Sequence, residues 1–210
     1  MLLLVSVAVV VSSLSGGRGP YAELPSCRTL FPFTVRSEVP APGTGTVMVT
    51  GSYEPESSDV HIGFGGLQDG LLGRLTCLGQ DSRTDTVLLT MDVYLHDPAD
   101  PGMNDKLLER FDVMRSGWES GSFEETNDVW VGHRWRDTEV ADAGMVGVFD
   151  DVMVPSFRDG YALSHFVTDN IGVYLGLHLY GPYDKDEILD SMEELTRQID
   201  DLLRTESIPA

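Results

Sequence analysis

Lysine and cysteine are the scarcest residues of this chain: Lys106 and Lys185 are the only lysines, Cys27 and Cys77 the only cysteines. With basic residues so few, Asp and Glu outnumber Lys and Arg by 34 to 14, and the formal net charge is −20 at pH 7. That balance excludes nucleic acid as a partner, because a polyanion is held through a basic footprint that releases its counterions. The same sign disfavours anionic membrane surfaces. An acidic surface confers solubility and resists self-association. Tolerance of high salt, or a basic partner or cation, are its other uses.

The motifs of the common enzyme classes are also missing. There is no GxSxG elbow, no HExxH, no P-loop and no dinucleotide fingerprint. The stretch GFGGLQDG at 63–70 has glycines but no helix start behind them to aim amides at a phosphate, so it reads as strand and turn. Two acidic clusters, Asp97/Asp100/Asp105 and Asp150/Asp151, lack the alternating pattern of a calcium loop and read as solvated turns. His96 and His133 carry no ligand spacing. Trp130, Arg134 and Arg136 share one side of VWVGHRWRD, where two guanidinium groups could clamp an anion but more readily pair with carboxylates. No catalytic residue, metal or cofactor is expected.

Long apolar runs are confined to the N-terminus, where Leu2–Val11 is uncharged. It is too short for a spanning helix of about 20 residues. It fits the apolar core of a secretory signal, although no basic residue precedes it and the first is Arg18. A buried strand is the alternative, favoured by its β-branched content. Residues 1–20 are therefore read as a signal peptide or membrane-anchor remnant plus linker, and 21–210 as a single extracytoplasmic domain. Any membrane contact is expected only through that first segment.

The body of the chain is 41% apolar, enough for one well-buried core. Strand patterns occur at 46–53, 60–67, 71–78, 86–96, 127–136, 144–154, 160–168 and 171–180. In 86–96, Val87, Leu89, Met91, Val93 and Leu95 alternate with Thr90, Asp92, Tyr94 and His96. A helix is expected over 104–118, capped by Asn104, with Leu107, Leu108, Phe111, Met114 and Trp118 on one stripe. A second, amphipathic helix over 185–204 has Asp184 as N-cap and buries Ile188, Met192, Leu195, Ile199 and Leu202. This order defines an α+β fold, an antiparallel sheet packed by a central and a C-terminal helix.

The last two strands meet at Asp169-Asn170, a two-residue turn expected to hold both residues at positive φ. Pairing Thr168 with Ile171 puts Ala162, Ser164 and Phe166 on a core face with Val173, Leu175, Leu177 and Leu179. The C-terminal helix should cover that face. The opposite face carries Tyr161, His165, Tyr174, His178 and Tyr180, rings with polar tips, and is the candidate ligand-binding face if nothing covers it. His165 and His178 lie four residues apart along the strands, roughly 13–14 Å, too far to share a zinc.

Cys27 has three readings. LPSC resembles a lipid-attachment box, but Pro25 and the polar gap after Val11 count against lipidation. A nucleophilic thiol lacks a partner motif. A bridge to Cys77 leaves no orphan thiol and suits export.

The segments PSCRTLFP, LTCLGQDSRTDTVLLTMDVYLHD and DNIGVYLGLHLYG, with the helices after the last two, resemble a group of actinobacterial extracytoplasmic domains. Many of that group are lipoproteins, and the build is similar to the external sensor domain of mycobacterial receptor serine/threonine kinases. The resemblance implies a bridge from a cysteine on a short first helix to one before the first long strand. It implies no catalytic residues. Gly79 stands where the group has a tryptophan, and a proper lipid-attachment box is lacking. The expected function is an exported or membrane-tethered, non-catalytic, sensor-like domain that binds a small molecule or protein at the cell envelope. A hydrolase whose site assembles only in three dimensions, or a structural subunit, are the alternatives.

Overall fold

A computed structural model describes residues 20–32, 46–55, 67–120, 131–150 and 160–210. Its strands are β1 (Tyr21–Glu23), β2 (Val47–Pro55), β3 (Leu71–Asp81), β4 (Val87–His96), β5 (Val131–Thr138), β6 (Ala143–Asp150), β7 (Gly160–Thr168), β8 (Ile171–Leu179) and β9 (Ile208–Pro209). The helices are α1 (Cys27–Leu30), α2 (Met103–Ser120) and α3 (Lys185–Glu206). Seven strands form one antiparallel sheet in the order β2-β3-β4-β8-β7-β6-β5, and β1 pairs separately with β9. The fold is α+β, as the element order implies. After the β2–β4 meander the chain passes through α2 to the far edge, then returns strand by strand until β8 closes against β4. The strand expected at 60–67 lies outside the described residues except for Leu67, as do 127–130 and 151–154.

The alternation in β4 and the β7–β8 hairpin decides which face is buried where. Leu89, Met91, Val93 and Leu95 join Ala162, Phe166, Val173, Leu175, Leu177 and Leu179 in the main core. Leu88 enters the same core as the extra residue of a bulge, because Gly79 pairs with Leu89 but Gln80 with Val87. α3 closes this face with Leu189, Met192, Leu195, Ile199 and Leu203, while Ile188 and Leu202 flank the stripe. Asp184 caps it, accepting from the amides of Asp186 at 2.8 Å and Glu187 at 3.2 Å.

Two local expectations shift. α2 starts at Met103, so Asn104 lies inside it. The entry is organised by Asp100, whose carbonyl accepts from Met103 N–H at 3.1 Å and whose carboxylate accepts from Gly102 N–H at 2.9 Å. In the 169–170 turn only Asp169 has a positive φ, +50°. Asn170 is buried, and its amide side chain accepts from Tyr21 N–H and donates to the carbonyls of Tyr21 and His96 at 2.6–2.8 Å. Those three bonds hold its side chain between β1 and the end of β4.

Cys27 and Cys77 form a disulfide with a Cα–Cα distance of 5.5 Å, which ties α1 to β3 across the intervening strand β2. The crossing is over Gly51, where a Cβ would overlap Cys27 Sγ and the Thr76 carbonyl oxygen. Gly51→Ala is therefore expected to destabilise the domain by about 1–3 kcal/mol through overpacking. The cost should shrink in protein lacking the bridge, and urea midpoints of the four combinations check this.

Candidate functional site

Among the described residues α2 covers one half of the sheet face opposite α3, and on the other half burial ranges from the buried Tyr94 to the exposed Tyr180. On the first half α2 lays Leu107, Phe111, Met114 and Trp118 over Met145, Phe149, Leu163 and Val167. The Phe111 ring stands 5.3 Å from the ring of His165, which is 1% exposed. Trp118 packs edge-on to Phe149 at 5.2 Å and against Gly147, where a Cβ would crowd its ring. Tyr174 packs at the border of this cluster. Burial, with the negative charge of Asp92 next, pushes its phenol well above the usual tyrosine range.

Beyond α2 the face is formed by β3, β4 and the end of β8. Asp92, paired with Tyr174 in register, accepts through one oxygen from Arg74 Nε at 2.9 Å, Arg74 Nη2 at 2.8 Å and Thr76 Oγ1 at 2.9 Å. The guanidinium also lies 5.7 Å from the Tyr94 ring centroid. Sequence reasoning missed this group. Its only sequence signal is Asp92 on the polar face of β4, and the β3–β4 register that brings Arg74 near is not written locally.

At the other end lies an aromatic row. His178, opposite Tyr161 in register, meets that ring edge-on at 4.6 Å and lies near-parallel to Tyr180 at 6.4 Å. The Tyr180 hydroxyl donates to the Val87 carbonyl at 3.2 Å, bracing an exposed ring against β4. Burial alone pulls the His178 imidazole below the ordinary histidine value, which favours its neutral form. Between Tyr174 and His178 on this face is Gly176, without a side chain and flanked by the half-buried Thr90.

The five residues expected to share one face do so, in the expected register of Tyr161 with His178 and His165 with Tyr174. α2 covers His165, whereas Tyr161 and His178 are half-buried and Tyr180 is exposed. Other candidates take structural places. Arg134 pairs with Asp186, and Arg136 with Asp190 and Glu193, so both guanidinium groups tie β5 to α3. Trp130 lies outside the described residues. His96 is buried, its Nε2 against the backbone of Leu67, and desolvation lowers its pKa. Asp97 and Asp100 accept turn amides, and Asp100 also pairs with Lys106. Among the described residues no three His, Cys, Asp or Glu side chains are placed to hold a metal ion. Among them, too, no helix is long and apolar enough to cross a membrane.

This architecture is that of an α+β domain with helices on both faces of one antiparallel sheet. No protein-family model matches the chain, and no curated protein matches it. Among solved structures it is similar to the extracellular domain of PknH from Mycobacterium tuberculosis. The two are 11% identical over 89% of this chain and 98% of that one, with a TM-score of 0.47.

Proposed function

We propose that this chain is an extracytoplasmic, non-catalytic domain that recognises a small molecule or protein through the Tyr161–His178–Tyr180 end of its second sheet face. The observation that carries the compartment is the disulfide, since structural bridges persist outside the reducing cytosol. The binding surface rests on the Tyr161–His178–Tyr180 row, which offers ring faces and polar tips with an imidazole between them. Residues 1–20 serve as export signal or anchor in this reading.

NMR shift mapping with neutral aromatic and saccharide fragments tests the surface. Perturbations centred on Tyr161, His178 and Tyr180, weakened at least tenfold in affinity by His178→Ala, are expected. Shifts confined to other surfaces would overturn the assignment. Intact-mass measurement of protein recovered from outside the cell tests the compartment, and two free thiols there would contradict it.

A further inference from the structure

Both ends of the described chain converge on a buried polar junction that the binding face does not use. Tyr21, in β1, is fully buried, and its hydroxyl has no hydrogen-bond partner among the described residues. Around it stand Asp142 from the β5–β6 turn, Asp169 from the β7–β8 turn, and Asp200 and Arg204 from α3. Arg204 Nε donates to Asp200 at 2.9 Å, and Arg204 Nη2 lies 3.5 Å from Asp142. Asp142 also accepts the Asp169 backbone N–H at 2.7 Å. One oxygen of Asp169 is buried without a hydrogen-bond partner among the described residues, and the Thr168 hydroxyl lies against Asp200, where its hydrogen bond favours the carboxylate. Asp201 is the remaining charged group near Asp200.

The charges do not cancel: three carboxylates, of which Asp200 is buried, Asp169 half-buried and Asp142 exposed, face a single guanidinium. No three of them are placed to ligate a metal among the described residues, so a bound ion is not the relief this geometry offers. A proton is. Among the described residues β1 is held by the packing of Tyr21 in the main core, the Asn170 side chain, the short pairing with β9, and the Ala210 N–H on the Pro20 carbonyl at 3.0 Å.

We propose that this junction is a proton-operated latch, in which protonation of Asp169 or Asp200 removes like-charge repulsion beneath Tyr21 and tightens β1 onto the domain. Burial raises the carboxyl pKa of both; Asp142 adds to the rise at Asp169, while Arg204 opposes it at each. Because these pKa values are raised on folding, the stabilisation is complete below the unfolded aspartate value of about 4 and is lost as pH rises through the folded values. The latch is thus tight in acid and loose at neutral pH, opposite to ordinary acid denaturation.

Hydrogen exchange of the full chain, corrected for intrinsic rates, is the test. Protection of the Tyr21 and Ala210 amides should be severalfold higher at about pH 4 than at about pH 7.5, because the stabilisation approaches its full value only near the unfolded aspartate value. Asp169→Asn should flatten that difference and keep the pH 7.5 protein protected. Equal protection at the two pH values, or a gain shared equally by the β4–β8 amides, would overturn the proposal. In wild-type protein, carboxyl ¹³C titration of Asp169 and Asp200 gives an independent reading. Midpoints for both at or below the ordinary aspartate value overturn it even if the variant fails to fold.

Discussion

Replacing Cys27 and Cys77 together by alanine lowers the unfolding free energy by about 4 kcal/mol, the chain-entropy value for freeing a loop of this size. The bridge spans a sequence separation of 50 residues, and both cysteines are buried, so the unfolded chain is the state most changed by its loss. Against a typical domain stability of about 5–15 kcal/mol, that is a quarter or more of the whole. Equilibrium urea unfolding, oxidised against reduced and against the double variant, measures it. A difference under about 1 kcal/mol would show that the unfolded chain gains little freedom when cut loose.

Trp118→Ala should cost about 3–5 kcal/mol, the range for truncating a large buried aromatic. Trp118 is 1% exposed and fills the space over Gly147 beside Phe149, so no neighbour can collapse into the void without moving α2. The loss should appear as faster amide exchange along α2 and in the environment of His165, which this helix covers. Val113→Ala, on the exposed side of α2, is the control and should leave the urea midpoint nearly unchanged.

These two positions differ in how far the sequence discloses them. The β7–β8 hairpin is legible because a two-residue turn fixes register, and a period of two then fixes both faces from Tyr161 to Leu179. The α3 stripe is legible from its 3–4 residue spacing, with the outer boundary displaced to Leu189 and Leu203. What α2 covers is not legible. Its stripe announces a buried face but not which face of the sheet receives it, and that choice hides His165 while leaving His178 half-exposed. The insertion of β8 beside β4 and the Arg74–Asp92 contact are likewise products of long-range register. So is the grip of Asn170 on Tyr21, 149 residues away, for which local sequence carries no signal.

The crossing of the disulfide over Gly51 also sets how the domain carries mechanical load. Tension entering from the N-terminal side reaches Cys27 and passes through the sulfur atoms into β3, an interior strand, without travelling along β2. Residues 28–76 are thereby taken out of the extensible contour. A chain pulled from its two ends would lengthen by about 170 Å less than its residue count allows, at roughly 3.5 Å per residue. The edge strand β2 can then be peeled from the sheet by its neighbours or by a partner, but not by a pull on the termini.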